Sequence, residues 1–333
     1  MLGLVATSKG LEDTAALEIK ELINANPKIE ESCVTFGLKD LSDLCLLCYK
    51  CQSADRVVCL VGNFEFEDFF GDIGKFIDKL DIGMWLEGSK SFKVECVRKG
   101  IHSFKSIDAE RKVCELLLKK FKGKNIGFSI KDYGVVFLIY IVNNKAYFGI
   151  DFAGIELNKR AYKIFLHSNS LRGTIAYALV RDSGFRKNGI MLDPFSRDGV
   201  ISIEAAIYAS NFPINYYNKG KFAFLKLNIG VDFEKFFEKI DKKSKKAKIG
   251  IYSYDYMFKY VDYSRKNAKI AGVDKLINFS RVELEWLDIK FKKNGVDAIA
   301  TSLPASKNAN LDKIYKEFFI KANTYLKMAA ELP

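Results

Sequence analysis

The chain reads as α/β, with an open, doubly wound parallel sheet in its second half and smaller α+β units before it. Three observations carry this reading. First, residues 189–192 form a short apolar run that stops at Asp193-Pro194, and after Gly199 the apolar positions Val200, Ile203 and Ala206 recur at helical spacing, so this stretch is strand, tight loop, helix. Second, the alternation continues down the chain. A strand over 249–254 ends at Asp255, a helix over 260–271 is closed by Gly272, a strand over 277–280 has Glu283 just beyond it, and a strand over 296–301 runs into Ser302-Leu303-Pro304-Ala305 before a helix over 311–326. Third, strands and helices in the first half alternate at a much shorter pitch, which suits small α+β units.

Composition narrows the function classes. The chain has 333 residues, 49% of them hydrophobic, enough for large cores and for two or three domains. No apolar run reaches the ~18 residues a membrane span needs, and residues 1–7 lack the layout of a signal peptide. The expectation is a cytoplasmic protein without a membrane partner. Seven cysteines, an odd number, argue against a disulfide framework. The net charge of +12 points to a polyanionic partner, most often nucleic acid.

In chain order, a strand over 3–6, a helix over 14–23, a strand over 33–36, a helix over 41–50 and a strand over 57–61 make the first unit. Cys45, Cys48 and Cys51 lie at spacing three, which suits either a metal site or three thiols on one buried helix face; with no histidine nearby, burial is the adopted reading and no metal is expected. The next unit has a helix over 64–80, a strand over 92–97, a helix that Ser106 can cap, and strands over 135–142 and 145–151 joined by the hairpin pair Asn143-Asn144. Its basic residues fall in two clusters, Arg98, Lys99 and Lys105 around one loop and Lys119, Lys120, Lys122 and Lys124 after the helix. Residues 152–172 read as a connector carrying Arg160 and Arg172, and a helix starts near Ser170. The lysines at 242, 243, 245, 246 and 248 read as a solvated helix end, the other reading being a phosphate contact.

In open α/β sheets ligands bind beyond the carboxyl ends of the strands. Asp193, Asp255, Glu283 and Ser302 all fall at such ends. An acid after the second strand suits a ribose diol, and a polar residue after the third suits an adenine amino group. The Gly-x-Gly-x-x-Gly fingerprint of dinucleotide sites is absent. The position of the fourth-strand loop favours S-adenosyl-L-methionine over NAD.

Six stretches carry a more specific likeness: Ser53-Ala54-Asp55-Arg56-Val57, residues 98–106, Leu157-Asn158-Lys159-Arg160-Ala161-Tyr162-Lys163, Ser170-Leu171-Arg172, residues 192–206, and residues 255–273 with Asn267, Ala271 and Gly272. Through them the chain resembles the THUMP-domain tRNA guanine-N2-methyltransferases, in particular the group that modifies guanosine 6 of the acceptor stem. The resemblance implies a ferredoxin-like domain over 1–62, a THUMP domain over 63–151, a linker over 152–172 and a Rossmann-like class I methyltransferase domain over 173–333. It implies S-adenosyl-L-methionine bound by Asp193, Ser196, Gly199, Asp255 and Glu283, with Ser302, Leu303, Pro304 and Ala305 as the catalytic loop. tRNA contacts are expected at Arg98, Lys99, Lys105, Lys119, Lys122, Arg160 and Arg172, and a monomer is favoured.

The departures from the family pattern bear on activity. The family's first loop reads Asp-Pro-x-Cys-Gly-Ser-Gly-Thr, whereas here Ser196 stands for the cysteine and Arg197 for the glycine after it. The family's catalytic loop reads Asn or Asp, Pro or Leu, Pro, then Tyr or Phe. There a side chain and a backbone carbonyl accept the hydrogens of the guanine amine and stabilise its developing positive charge. Ser302 and the Leu303 carbonyl retain that capacity. Ala305 cannot stack on a flipped base, a loss of ~1–3 kcal/mol. The family also continues with a final strand pair beyond the helix at 311–326. Two rival readings stay open at this level: a tRNA-binding homologue with an inactive methyltransferase domain, and a small-molecule methyltransferase or nucleotide binder whose first half serves assembly.

Overall fold

The structure, a computed structural model, describes residues 1–244, 250–305 and 310–327. It divides into two compact units, Met1–Leu157 with Asn215–Glu238, and Asn158–Ile214 with Lys239–Pro333.

The first unit is built on one eight-stranded sheet. Its elements are β1 (Leu2–Ala6), α1 (Glu12–Ile23), β2 (Lys28–Glu30), β3 (Cys33–Gly37), α2 (Ser42–Lys50), β4 (Arg56–Glu65), α3 (Phe69–Lys79), β5 (Ser91–Lys99), α4 (Ser106–Lys120), β6 (Gly127–Phe128), β7 (Val135–Val142) and β8 (Lys145–Asp151). The strand order is β2-β3-β1-β4-β8-β7-β5-β6. β7 is buried at every position, which explains its unbroken apolar run.

β4 joins the two halves of this sheet. Residues 56–60 pair with β1, and residues 58–65 pair with β8 across a bulge between Leu60 and Gly62. The boundary expected after residue 62 therefore falls inside a strand. For the same reason the helix expected over 64–80 starts only at Phe69: Phe64 and Glu65 are still opposite Ala146 and Lys145, and Asp68 caps α3 by accepting from the Phe70 and Gly71 N–H groups. Ser106 is the first residue of α4 rather than its cap, and the Lys105 N–H goes to the Asp108 carboxylate at 2.8 Å. At the sheet centre Arg56 pairs with Asp151 at 2.7 Å and with Glu95 at 3.0 Å, tying β4, β8 and β5 together. Cys45, Cys48 and Cys51 are buried, and burial pushes their thiols up.

The aromatic stretch Asn215–Glu238 returns to this unit. Asn215 donates its amide to the Cys48 carbonyl at 2.9 Å, Ala223 and Phe224 donate backbone N–H groups to Ala153 and Phe152 at 3.0 Å, and Phe237 packs edge-on against Tyr49 at 4.8 Å.

The second unit holds α5 (Gly173–Asp182), β9 (Ile190–Asp193), α6 (Val200–Ser210), the end of α7 (Phe233–Asp241), β10 (Gly250–Asp255), α8 (Phe258–Ala271), β11 (Ile277–Arg281), α9 (Leu287–Lys290), β12 (Ala298–Ile299) and α10 (Leu311–Tyr325). Its four strands are all parallel, in the order β11-β10-β9-β12. The chain therefore reverses direction across the sheet at β9, the switch point where such sheets bind ligands. One core, with Met191, Ile203, Ala206 and Ile251, lies under α5, α6 and α8; Leu192, Tyr254, Phe291 and Tyr325 fill the opposite layer. The fourth strand is two residues long rather than six, although Val296 forms a parallel bridge with Leu326. Of the lysine run, Lys245, Lys246 and Lys248 lie outside the described residues, as does Ile249. Among the described residues no helix is long and apolar enough to cross a membrane.

Candidate active site

The loop between β9 and α6 is held by its backbone. The Ser196 N–H bonds the Tyr254 carbonyl at 2.8 Å, and the Gly199 N–H returns to the Ser196 carbonyl at 2.7 Å. Gly199 sits at φ +79°, and a Cβ there would stand 2.8 Å from Ser264 Cβ. Only glycine meets both conditions. Arg197 sits at φ +51°, a conformation that costs an L-residue roughly 1–2 kcal/mol. It is pinned there from both sides: its N–H donates to Asp255 Oδ2 at 3.0 Å, and its carbonyl accepts from Ser264 Oγ at 2.9 Å. Asn267 on α8 staples the connector to the loop, accepting from the Ile164 and Phe165 N–H groups and donating to the Phe165 and Asp198 carbonyls.

A cavity of about 480 Å³ opens at the carboxyl ends of the strands, inside the ~300–1,000 Å³ range of small-molecule sites. Asp255, Glu283, Phe195, Arg197, Pro304 and Ala305 line it, together with His167 and Asn169 from the connector. Burial raises the Asp255 carboxyl above its ordinary value, opposed by the N–H groups of Met257 and Arg197. His167 is held below its usual value, mainly by burial and then by the Arg197 charge, and its ring meets Tyr260 at 4.7 Å.

The sequence-predicted residues divide here. Asp255, Glu283, Pro304 and Ala305 share the cavity. Asp193, Ser196 and Gly199 do not line it and instead support the loop. Asp193 is fully buried, accepts from Thr301 Oγ1 at 2.6 Å, and is pushed up to about 7 by its burial. Ser302 and Leu303 are near, but their acceptors are already engaged: Arg197 Nη1 donates to Ser302 Oγ at 3.0 Å and Nη2 to the Leu303 carbonyl at 2.8 Å.

Arg160 is a correction. It was expected to meet tRNA, but its side chain is buried and locked on Glu204 at 2.7 and 3.2 Å, with Tyr162 OH on the same carboxylate at 2.6 Å. A guanidinium so enclosed has no face left for a phosphate. Arg172 is exposed at the start of α5. The two clusters of the first unit lie at opposite ends of α4: Arg98, Lys99 and Lys105 at its N-terminal end, Lys119 and Lys122 at its C-terminal end, roughly 20 Å apart at 1.5 Å per residue. The sequence reading missed His167, Ser264 and Thr301. His167 sits in a segment without periodicity, and the other two act through contacts that no local pattern announces.

A parallel sheet reversing at β9, a glycine-dependent loop, and acids after the next two strands define a class I methyltransferase fold. The chain belongs to the family of RMKL-like methyltransferase domains, whose model matches residues 160–330, and a THUMP domain model matches residues 67–151. Among curated relatives, a tRNA (guanine(6)-N2)-methyltransferase of Methanocaldococcus jannaschii is 28% identical over 98% of this chain and 88% of its own length. One of the same description from Archaeoglobus fulgidus is 25% identical over 93% of this chain and 76% of its own. Among solved structures, SMU.472, described as "a putative methyltransferase complexed with SAH", superposes with a TM-score of 0.77 over 97% of this chain and 87% of its own, at 19% identity. At that identity the likeness speaks for the fold.

Proposed function

We propose that this chain is an S-adenosyl-L-methionine-dependent tRNA methyltransferase that modifies guanine N2 in the acceptor stem. The observation that carries this reading is a cavity lined by Asp255, Glu283 and Arg197, with two acceptors, Ser302 Oγ and the Leu303 carbonyl, held by the Arg197 guanidinium. It stands in a chain aligned over nearly its whole length with a tRNA (guanine(6)-N2)-methyltransferase.

The residues present fit the cofactor. Asp255 at the end of β10 keeps lone pairs for a ribose diol. Glu283, exposed beyond β11, can accept from an exocyclic amine, and Phe195 and Leu284 give the cavity apolar walls. When bound, S-adenosyl-L-methionine supplies an electrophilic methyl group. The chain's own part is orientation and charge. Ser302 Oγ and the Leu303 carbonyl accept from the guanine edge that carries N1–H and the N2 amine, and stabilise the positive charge that grows on N2. Arg98, Lys99 and Lys105 hold tRNA by its phosphates, in the cytoplasm in this reading. Because the curated relatives aligned over most of the chain are tRNA (guanine(6)-N2)-methyltransferases, turnover is favoured over a tRNA binder without activity.

Transfer of labelled methyl groups to unmodified tRNA, with calorimetry on the cofactor, tests the proposal. Wild type should bind S-adenosyl-L-methionine and label N2 of guanine, while Asp255→Ala should lose cofactor binding and keep tRNA affinity. Wild type that binds cofactor and tRNA yet labels no guanine would overturn the reading.

A further inference from the structure

Arg197 does more in this site than close a loop. Its guanidinium spans three neutral oxygens: Nη1 donates to Ser302 Oγ at 3.0 Å and to the Asn169 carbonyl at 3.2 Å, and Nη2 donates to the Leu303 carbonyl at 2.8 Å. Two of the three are the acceptors assigned above to the edge of the target guanine. A guanidinium is a planar N–C–N unit with N–H groups in a fixed fork. The Watson–Crick edge of guanine offers the same unit, with N1–H and the N2 amine joined through C2. The side chain that fills these acceptors thus has the donor geometry of the base proposed to fill them during reaction.

The hold is reversible by its chemistry. Among the described residues no carboxylate pairs with the Arg197 guanidinium, and Asp255 takes the Arg197 backbone N–H rather than its side chain. Bonds to neutral oxygens are weaker than charge-paired ones. The backbone is pinned on both sides, so the side chain can leave while the loop stays.

We propose that Arg197 is an internal stand-in for the target guanine: it occupies the target-base subsite, keeps Ser302 and Leu303 in register, and is displaced when a flipped guanine enters. This rests on the guanine reading above. The subsite it marks selects bases with a guanidine-type edge over adenine or pyrimidines.

The test is a binding titration that needs neither cofactor nor methyl transfer. Guanosine 5′-monophosphate is titrated into wild type, Arg197→Gly and Arg197→Ala, each checked for folding by its melting temperature; glycine suits the φ of +51° at this position. Both variants should bind the nucleotide about tenfold more tightly than wild type, because binding no longer requires a displacement. Adding Ser302→Ala to Arg197→Gly should remove most of that gain. Unchanged or weaker binding in both single variants overturns the proposal. A gain that persists without Ser302 also overturns it, since the substitution would then only have opened space. Failure of wild type to label tRNA counts against the proposed function and leaves this titration standing on its own outcome.

Discussion

Asp193 shows how one buried group colours the whole site. It ends β9 without lining the site cavity, and burial lifts its carboxyl from 3.8 to about 7. Between those values the folded chain keeps a proton that the unfolded chain has released. Stability therefore falls as pH rises through this window, by at most about 1.4 kcal/mol per pH unit, and levels off above it. Asp193→Asn keeps an acceptor for Thr301 and removes the titration. Urea unfolding at pH 5 and pH 8 should show wild type losing stability relative to the variant; equal pH dependence would refute the assignment. Arg160 carries a second lesson at this scale. In the sequence it is one basic residue in a basic stretch, and only its burial against Glu204 takes it off the surface.

At the scale of elements, the β9–α6 loop and the face of α8 behave as one object. Gly199, Arg197 and Asp198 are each fixed by Ser264 or Asn267, from one helix. Gly199→Ala would place a methyl against Ser264 at a φ of +79°, costing on the order of 1–3 kcal/mol. Because the displaced backbone also carries the Arg197 N–H bound to Asp255, the variant should fold with a lower melting temperature and lose affinity for S-adenosylhomocysteine. An unchanged affinity would mean that the loop does not set the cofactor site. The elements themselves were legible wherever periodicity was strong: β7, β8 and their two-residue turn fall where the pattern puts them, with Asn143 taking the positive φ of +52°. Phe64 misled because a strand continuing past a bulge has no signature in its own residues; the evidence for it lies in β8.

At the scale of the molecule, charge is the quantity to test. The surplus of +12 does not say where on the surface a polyanion would bind. Because the two clusters at the ends of α4 stand a helix length apart, their contributions are separable. Replacing Arg98, Lys99 and Lys105 by alanine should lower tRNA affinity and reduce the slope of log K against log salt by roughly 2–3, at ~0.7–0.9 for each phosphate no longer neutralised. A slope unchanged from wild type would remove this cluster from the tRNA interface. Lys119→Ala with Lys122→Ala measures the other end in the same assay.

The sequence by itself determined the alternation of strands and helices, the acids at the strand ends and the basic surplus, because periodicity and turn chemistry are written locally and net charge is summed over the chain. Tertiary structure alone decided that residues 1–157 build a single sheet through β4, that residues 215–238 return to that unit, that Arg160 is buried, and that Arg197 covers Ser302 and Leu303. Each of these is a contact between residues far apart in the chain. Pairing, burial and a side chain's choice of acceptor depend on what stands opposite, and local pattern carries no record of that.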